Sequence, residues 1–186
     1  MTGKAHRTRE RILTAALDLF ERQGYRATTV SQIADAAGVT SMTFFRHFPT
    51  KDSVLVSDPY DPLIAQCVAA QPLELAPLER VRRGFLIALA GITPTEDSTA
   101  RRRVALAGEH PELIGAVVAA TQATQDAVAD ALVAQGIDRL DAVVAAAACL
   151  GALTAALLAW TSLPDDVGLD AVARRALDQL AMDGVR

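Results

Sequence analysis

Along most of this 186-residue chain, apolar positions recur every three or four residues, the period of an amphipathic helix. Ile12, Ala15, Ala16, Leu19 and Phe20 form one such stripe, in a helix predicted from an N-cap at Thr8 to about Arg22 and ended by Gly24. A second helix is predicted behind Thr29, with Gln32 at capping-box spacing and Ile33, Ala34 and Ala37 facing inward. Gly38 supplies the positive backbone angle of a tight turn. A short third helix is predicted from about Thr40 to His47. Pro49 and Thr50 interrupt the chain, and Thr50 is placed to cap a fourth helix that opens at Lys51. Pro59 and Pro62 predict a kink or short non-helical step over residues 58–62.

The rest reads as helix after helix. Residues 78–91 carry Val81, Phe85, Leu86 and Leu89; residues 93–97 read as a polar loop; residues 98–109 contain the run Arg101, Arg102, Arg103. Pro111 suits a first helical turn, in a helix predicted to reach Gln135 and stop at Gly136. Asp138 is a cap for a long apolar helix ending between Trp160 and Leu163. In the last helix Leu169, Val172, Ala173, Ala176, Leu177 and Leu180 lie opposite Asp170, Arg174, Arg175 and Asp178. The pattern predicts an all-α fold, with a three-helix head over residues 1–52 and a helical body over residues 53–186.

Composition agrees with that class. Hydrophobic residues make up 51% of the chain and aromatics only 4%, which favours packed helices over sheets. Net charge is -4, but it is uneven: residues 1–52 carry +3 and the remainder -7. A basic head on an acidic body confines phosphate attraction to the head.

The head therefore has a specific reading. Two short helices meet at a turn around Gly38 and Val39, and small Ala34 and Ala37 let them cross closely. Val39, Phe44 and Phe48 suit the side that docks the third helix. Thr40, Ser41, Met42, Thr43, Phe45, Arg46 and His47 are left on the other side. Hydroxyls there can bond phosphates or base edges, and the Met42 side chain can touch a thymine methyl. Thr29 and Lys51 sit at helix starts, where a phosphate is favoured, and Arg7 and Arg9 precede the predicted first helix as a short basic arm. This is the layout of a helix-turn-helix that lays one helix in the DNA major groove.

From about Arg9 to Leu55 the sequence RILTAALDLFERQGYRATTVSQIADAAGVTSMTFFRHFPTKDSVL resembles the TetR family of bacterial transcriptional regulators. The resemblance covers about a quarter of the chain. It implies an all-helical dimer with a small DNA-binding head and a ligand-binding body. It also implies phosphate contacts at Thr29 and Lys51, a groove position for Ser41, Met42 and Thr43, and a backbone contact for His47. The family usually has Tyr where this chain has Phe45, so a phenol bond to phosphate is replaced here by apolar packing.

The body names less chemistry. Small residues at 145–148, 151, 152, 155 and 156 permit close helix approach, and Leu150, Leu153, Leu157, Val172, Ala176 and Leu180 are the predicted homodimer contacts. By resemblance the two C-terminal helices form that interface, and the dimer binds a roughly palindromic double-stranded operator. A pocket for a mainly apolar small-molecule effector is expected by resemblance, with Cys67, Phe85, Leu89, Leu106, Val117, Thr121 and Trp160 as candidate lining. Residues 142–163 carry no charge, but their Ala, Gly, Thr and Ser content favours a buried or interface helix over a membrane span. Cys67 and Cys149 suit buried reduced thiols, and a basic N-terminus without an apolar core suits a cytoplasmic protein. Neither a metal-binding spacing of His6, His47 and His110 nor a Gly-rich phosphate loop is present, so no cofactor and no catalysis are expected. The rival class is a helical interaction module without DNA affinity.

Overall fold

The computed structural model describes residues 3–57 and 61–181, without the side chains of residues 61 and 62. Its described residues form helices and no strand: α1 Gly3–Gln23, α2 Val30–Ala36, α3 Ser41–His47, α4 Ser53–Val56, α5 Asp61–Ala69, α6 Pro77–Leu89, α7 Pro94–Glu109, α8 Ile114–Val133, α9 Arg139–Trp160 and α10 Leu169–Asp178. A 3-10 turn at Pro111–Leu113 precedes α8, so the single predicted helix from Pro111 is divided. The all-α expectation holds. The step expected at residues 58–62 falls mainly on residues 58–60, outside the described residues.

Three helix starts differ from expectation, one of them α4, which begins at Ser53 and not at Lys51. α1 begins at Gly3, and the Thr8 hydroxyl donates to the Lys4 carbonyl at 3.0 Å instead of capping. α7 begins at Pro94, four residues before the predicted start. Glu96 accepts from the Thr93 amide at 2.8 Å while Thr93 Oγ1 accepts from the Glu96 amide at 3.3 Å. Thr93 and Glu96 are thus a capping box in a stretch expected to be loop. The expected Thr29–Gln32 box is closed, the expected cap Asp138 accepts from Leu140 N at 2.8 Å, and Thr40 caps α3. Thr50, expected to cap a helix from Lys51, accepts from the Ser53 amide at 3.1 Å, while Asp52 holds the cap position of α4 without a side-chain bond.

The chain forms two compact units. Unit 1 comprises Met1–Ser57 and Arg102–Ala116; unit 2 comprises Asp58–Arg101 and Val117–Arg186. In unit 1 the core is Ile12, Ala16, Leu17, Phe20, Ile33, Ala34, Phe44, Phe48, Val54 and Leu55, completed by Leu106 and Leu113. Each fully buried large side chain contributes roughly 1.5–3 kcal/mol relative to exposure. The three-arginine run is divided at the unit boundary. Arg102 bonds Asp18 and Glu21 at 2.7 Å, and Arg103 donates to the carbonyls of Leu55 and Ser57, all in unit 1. Arg101 donates to the Leu163 and Pro164 carbonyls and lies 5.4 Å from the Trp160 ring, all in unit 2.

Unit 2 is built on α5, α6, α9 and α10, with the C-terminal half of α8 supplying Val128, Ala129 and Leu132. Gly84 sets the approach of α6 to α5, since a Cβ there would lie 2.4 Å from Val68 Cγ2 and 2.7 Å from its backbone nitrogen. Any side chain at that position must push the two helices apart. Trp160, Leu169 and Val172 form a separate small cluster.

Leu106 and Leu113 complete the unit 1 core from more than fifty residues away, so a fragment of residues 1–57 is expected to lose cooperative thermal unfolding by circular dichroism. A fragment that melts cooperatively at the temperature of the full chain contradicts this.

Candidate nucleic-acid interface

α3 has seven residues, too few to hold a helix in water by itself. Packing and capping hold it. Phe44 is 0% exposed and Phe48 is buried beside it, with ring centroids 5.9 Å apart. Thr40 Oγ1 accepts from the Thr43 amide at 3.1 Å and lies 3.0 Å from Thr43 Oγ1. The C-terminal turn is closed by Phe48 N donating to Phe44 O at 2.8 Å.

The turn before α3 is equally determined. Gly38 has φ +62, Gly38 N donates to Asp35 O at 3.0 Å, and Val39 N donates to Ala34 O at 2.9 Å. That pair of bonds is a Schellman ending for α2. Arg11 Nη2 donates to the Ala37 carbonyl and, at 3.3 Å, to the Gly38 carbonyl. The Arg11 contact was not legible in the sequence, because nothing local links residue 11 to a turn 26 positions later.

With its inner side fixed, α3 presents Ser41, Met42, Phe45 and Arg46 to solvent, while Thr43 and His47 are half-buried. Met42 is 73% exposed and Phe45 50%, and Phe45 rests edge-on against Phe44 at 5.5 Å. Lys4, Ala5 and Thr8 of α1 line a shallow recess of about 330 Å³ with Thr43, Arg46 and His47. Arg7 is exposed on α1, inside the helix and not on a preceding arm.

Other basic groups are turned inward. Arg9 donates to the His47 carbonyl at 2.7 Å and to Ser57 Oγ at 3.0 Å, with its guanidinium 4.1 Å from the Phe48 ring centroid. It fixes the end of α3 and is not a groove-reaching arm. Lys51 Nζ donates to the carbonyls of Tyr25 (2.8 Å) and Thr28 (3.0 Å) and lies 4.1 Å from the Tyr25 ring centroid. It precedes α4 and leaves one N–H for an outside partner. Thr29 is exposed, but its hydroxyl already serves the α2 capping box.

Partial burial, then Arg9 and Arg46, lower the pKa of His47. In the protein without DNA these groups hold the ring toward its neutral form. The stability linked to the neutral ring is present above 6.5 and is lost as pH falls through the lower folded-state value.

The candidate effector residues are not gathered at one place. Phe85 and Leu89 are in the main core of unit 2, with Cys67 packed at its edge. Trp160 is in the small cluster, and its indole N–H donates to the Val167 carbonyl at 2.6 Å. Val117 and Thr121 are half-buried, and Thr121 Oγ1 donates to the Val117 carbonyl at 3.0 Å. Leu106 belongs to the unit 1 core, which removes it from any site in unit 2. Cys149 is buried, and that burial pushes its thiol up to about 12; both cysteines are free.

The expected homodimer contacts also have other uses. Leu150 and Leu153 are buried in the core of unit 2, Val172 is in the Trp160 cluster, Leu157 and Leu180 pack against these cores, and Ala176 is half-buried. The exposed side of α9 carries Leu140, Val144, Gly151, Ala155 and Leu158. α9 has the length and mean hydropathy, 2.3, of a membrane span by those two criteria alone.

The helix-turn-helix and the helical body each match a family model. Residues 12–57 match the model described as bacterial regulatory proteins, tetR family, and residues 75–184 match the MftR C-terminal domain. This chain belongs to the TetR family of bacterial transcriptional regulators. It is 36% identical over 95 residues to the HTH-type transcriptional regulator TcmR of Streptomyces glaucescens, covering 50% of this chain and 42% of TcmR. It is 34% identical over 90 residues to the HTH-type transcriptional regulator RutR of Escherichia coli, covering 45% and 38%. These matches span less than half the length of the curated relatives. Among solved structures, Thermus thermophilus FadR with lauroyl-CoA is 27% identical, with a TM-score of 0.53 and 96% of each chain covered. The SmeT–triclosan complex is 22% identical, with a TM-score of 0.61 and coverage of 96% and 94%, a likeness of fold.

Replacing Thr40 with Ala removes the side-chain cap of α3 and is expected to cost about 1 kcal/mol. Hydrogen exchange at the Thr43 amide should accelerate severalfold, while Ser41→Ala leaves it unchanged; equal rates in both variants contradict the capping assignment.

Proposed function

We propose that this protein is a cytoplasmic transcriptional repressor that binds a palindromic double-stranded DNA operator as a homodimer and is released by a mainly apolar small molecule. The observation that carries the reading is the two-sided α3, with Phe44 buried behind it and Ser41, Met42, Phe45 and Arg46 exposed in front. Such a face offers hydroxyl, apolar and cationic groups to base edges and phosphates together. In this role Ser41, Met42 and Thr43 enter the groove; Arg7, Thr29, Arg46, His47 and the remaining N–H of Lys51 meet the backbone; and Thr40 holds the helix start. Phe45 packs on the sugar-phosphate edge.

Two subunits are required to read a palindrome. The exposed side of α9 supports the association, since Leu140, Val144, Gly151, Ala155 and Leu158 recur at helical spacing and leave apolar area uncovered. This face takes the place of the six contacts expected from the sequence. The effector reading is supported by the aliphatic make-up of the unit 2 core and by the ligands named for FadR and SmeT, lauroyl-CoA and triclosan. In this reading the protein binds and does not catalyse.

Operator DNA selected from a random pool tests the reading. The selected sites are expected to be two-fold symmetric, and binding should fall steeply between 50 and 200 mM salt, roughly a thousandfold for about six phosphate contacts. Failure to enrich any sequence ends the proposal. Val144→Glu is expected to give a monomer by light scattering and to lose operator binding while retaining helix content; a dimeric variant moves the interface elsewhere.

A further inference from the structure

Arg80 is 0% exposed, and no carboxylate pairs with it among the described residues. Its Nη2 donates to the side-chain oxygen of Gln135, while Nε and Nη1 have no partner. A guanidinium stays charged in any protein environment, and a buried charge without a counter-ion is costly. Nothing local offsets it. Arg80 is in the first turns of α6, which starts at Pro77, so the helix dipole there disfavours a cation and favours an anion. The neighbouring carboxylate, Glu79, is already bound by Arg82 at 2.7 Å and by Arg83, and Asp178 is taken by Arg82 at 3.0 Å.

The side chain that bonds Arg80 is at the surface. Gln135 is exposed and follows the end of α8, and its side chain makes one further bond, from Nε2 to the Ala69 carbonyl at 2.8 Å. Both Gln135 bonds are those of a neutral amide, and its side chain can swing into water without unfolding a helix. Its oxygen occupies one of the positions from which a carboxylate would accept from a guanidinium. A carboxylate brings a second oxygen and a full charge, and so can use a donor that the amide leaves idle.

We propose that Arg80 is a gated anion site in unit 2, closed by Gln135 and opened by a carboxylate that displaces the amide. The carboxylate is either a small free anion or the charged end of an otherwise apolar ligand. In the second case the inference rests on the effector reading above and adds a charged group to that effector. Gln135→Glu supplies the missing carboxylate from the chain itself and fills the site permanently. Arg80→Met removes the charge and keeps most of the buried volume.

Thermal unfolding of the full chain without DNA tests this, so that a missing operator and a missing anion site are separate failures. The wild type is melted at matched ionic strength in chloride, acetate, octanoate and octan-1-ol. A carboxylate is expected to raise the melting temperature by about 2–4 °C over chloride, and over octan-1-ol when the tail is present. Gln135→Glu is expected to melt higher than the wild type without ligand, and both variants should lose the carboxylate response. A shift with acetate and octanoate alike identifies a free small anion; a shift with octanoate alone, larger than with octan-1-ol, identifies the end of an apolar ligand. Equal melting in chloride and both carboxylates, octanoate no better than octan-1-ol without any acetate shift, or a response kept by both variants overturns the assignment.

Discussion

A seven-residue helix exists here because two phenylalanines anchor it. Without Phe44 and Phe48, α3 has a few intrahelical bonds and one hydroxyl cap, too little to offset the entropy of fixing its backbone. Burial of the two rings supplies the difference, and it also fixes which side faces out. The exposure of Ser41, Met42, Phe45 and Arg46 on one side follows from the phase that Phe44 and Phe48 impose. The core that receives those rings draws on α1 and α2 and on Leu106 and Leu113 from much later in the chain.

The basic residues of unit 1 divide into two kinds of work. Arg9, Arg11 and Lys51 point at carbonyls of helix ends and turns. Each bond of this kind joins a full positive charge to the negative end of a peptide dipole, and so is stronger than one between neutral groups. Arg102 and Arg103 fasten the C-terminal part of α7 in the same unit, through Asp18, Glu21 and the Leu55 and Ser57 carbonyls. Lys4 and Arg46, on the recess beside α3, and Arg7, on the exposed side of α1, are the basic groups that remain turned to solvent there.

What the sequence made legible was mostly local. The Thr29–Gln32 box, the positive φ of Gly38 and the Thr40 and Asp138 caps each depend on residues within five positions, and each is present. The Thr93–Glu96 box is equally local, but the polar composition of residues 93–97 reads as loop. Contacts between distant residues were not legible. The partners of Arg9, Arg11, Arg102 and Arg103 lie 26 to 84 positions away, and no spacing rule connects them. The side of α9 that the core of unit 2 covers is not legible for a different reason. The helix is apolar nearly all round, so its pattern carries no preferred side, and Leu150 and Leu153 could not be distinguished from Leu140 and Val144. Leu106 packs in the unit 1 core, which periodicity does not reveal, because helical spacing says which residues are buried, not in which core.

The most direct measurement of the central claim is the methyl resonance of Met42 in the full chain during titration with selected operator DNA. If the exposed side of α3 enters the groove, that resonance shifts on binding at low salt and returns as salt releases the DNA. A Met42 methyl that keeps its free position while the protein is demonstrably bound would contradict the account, since the face exposed by the docking of Phe44 and Phe48 would then be pointing away from the duplex.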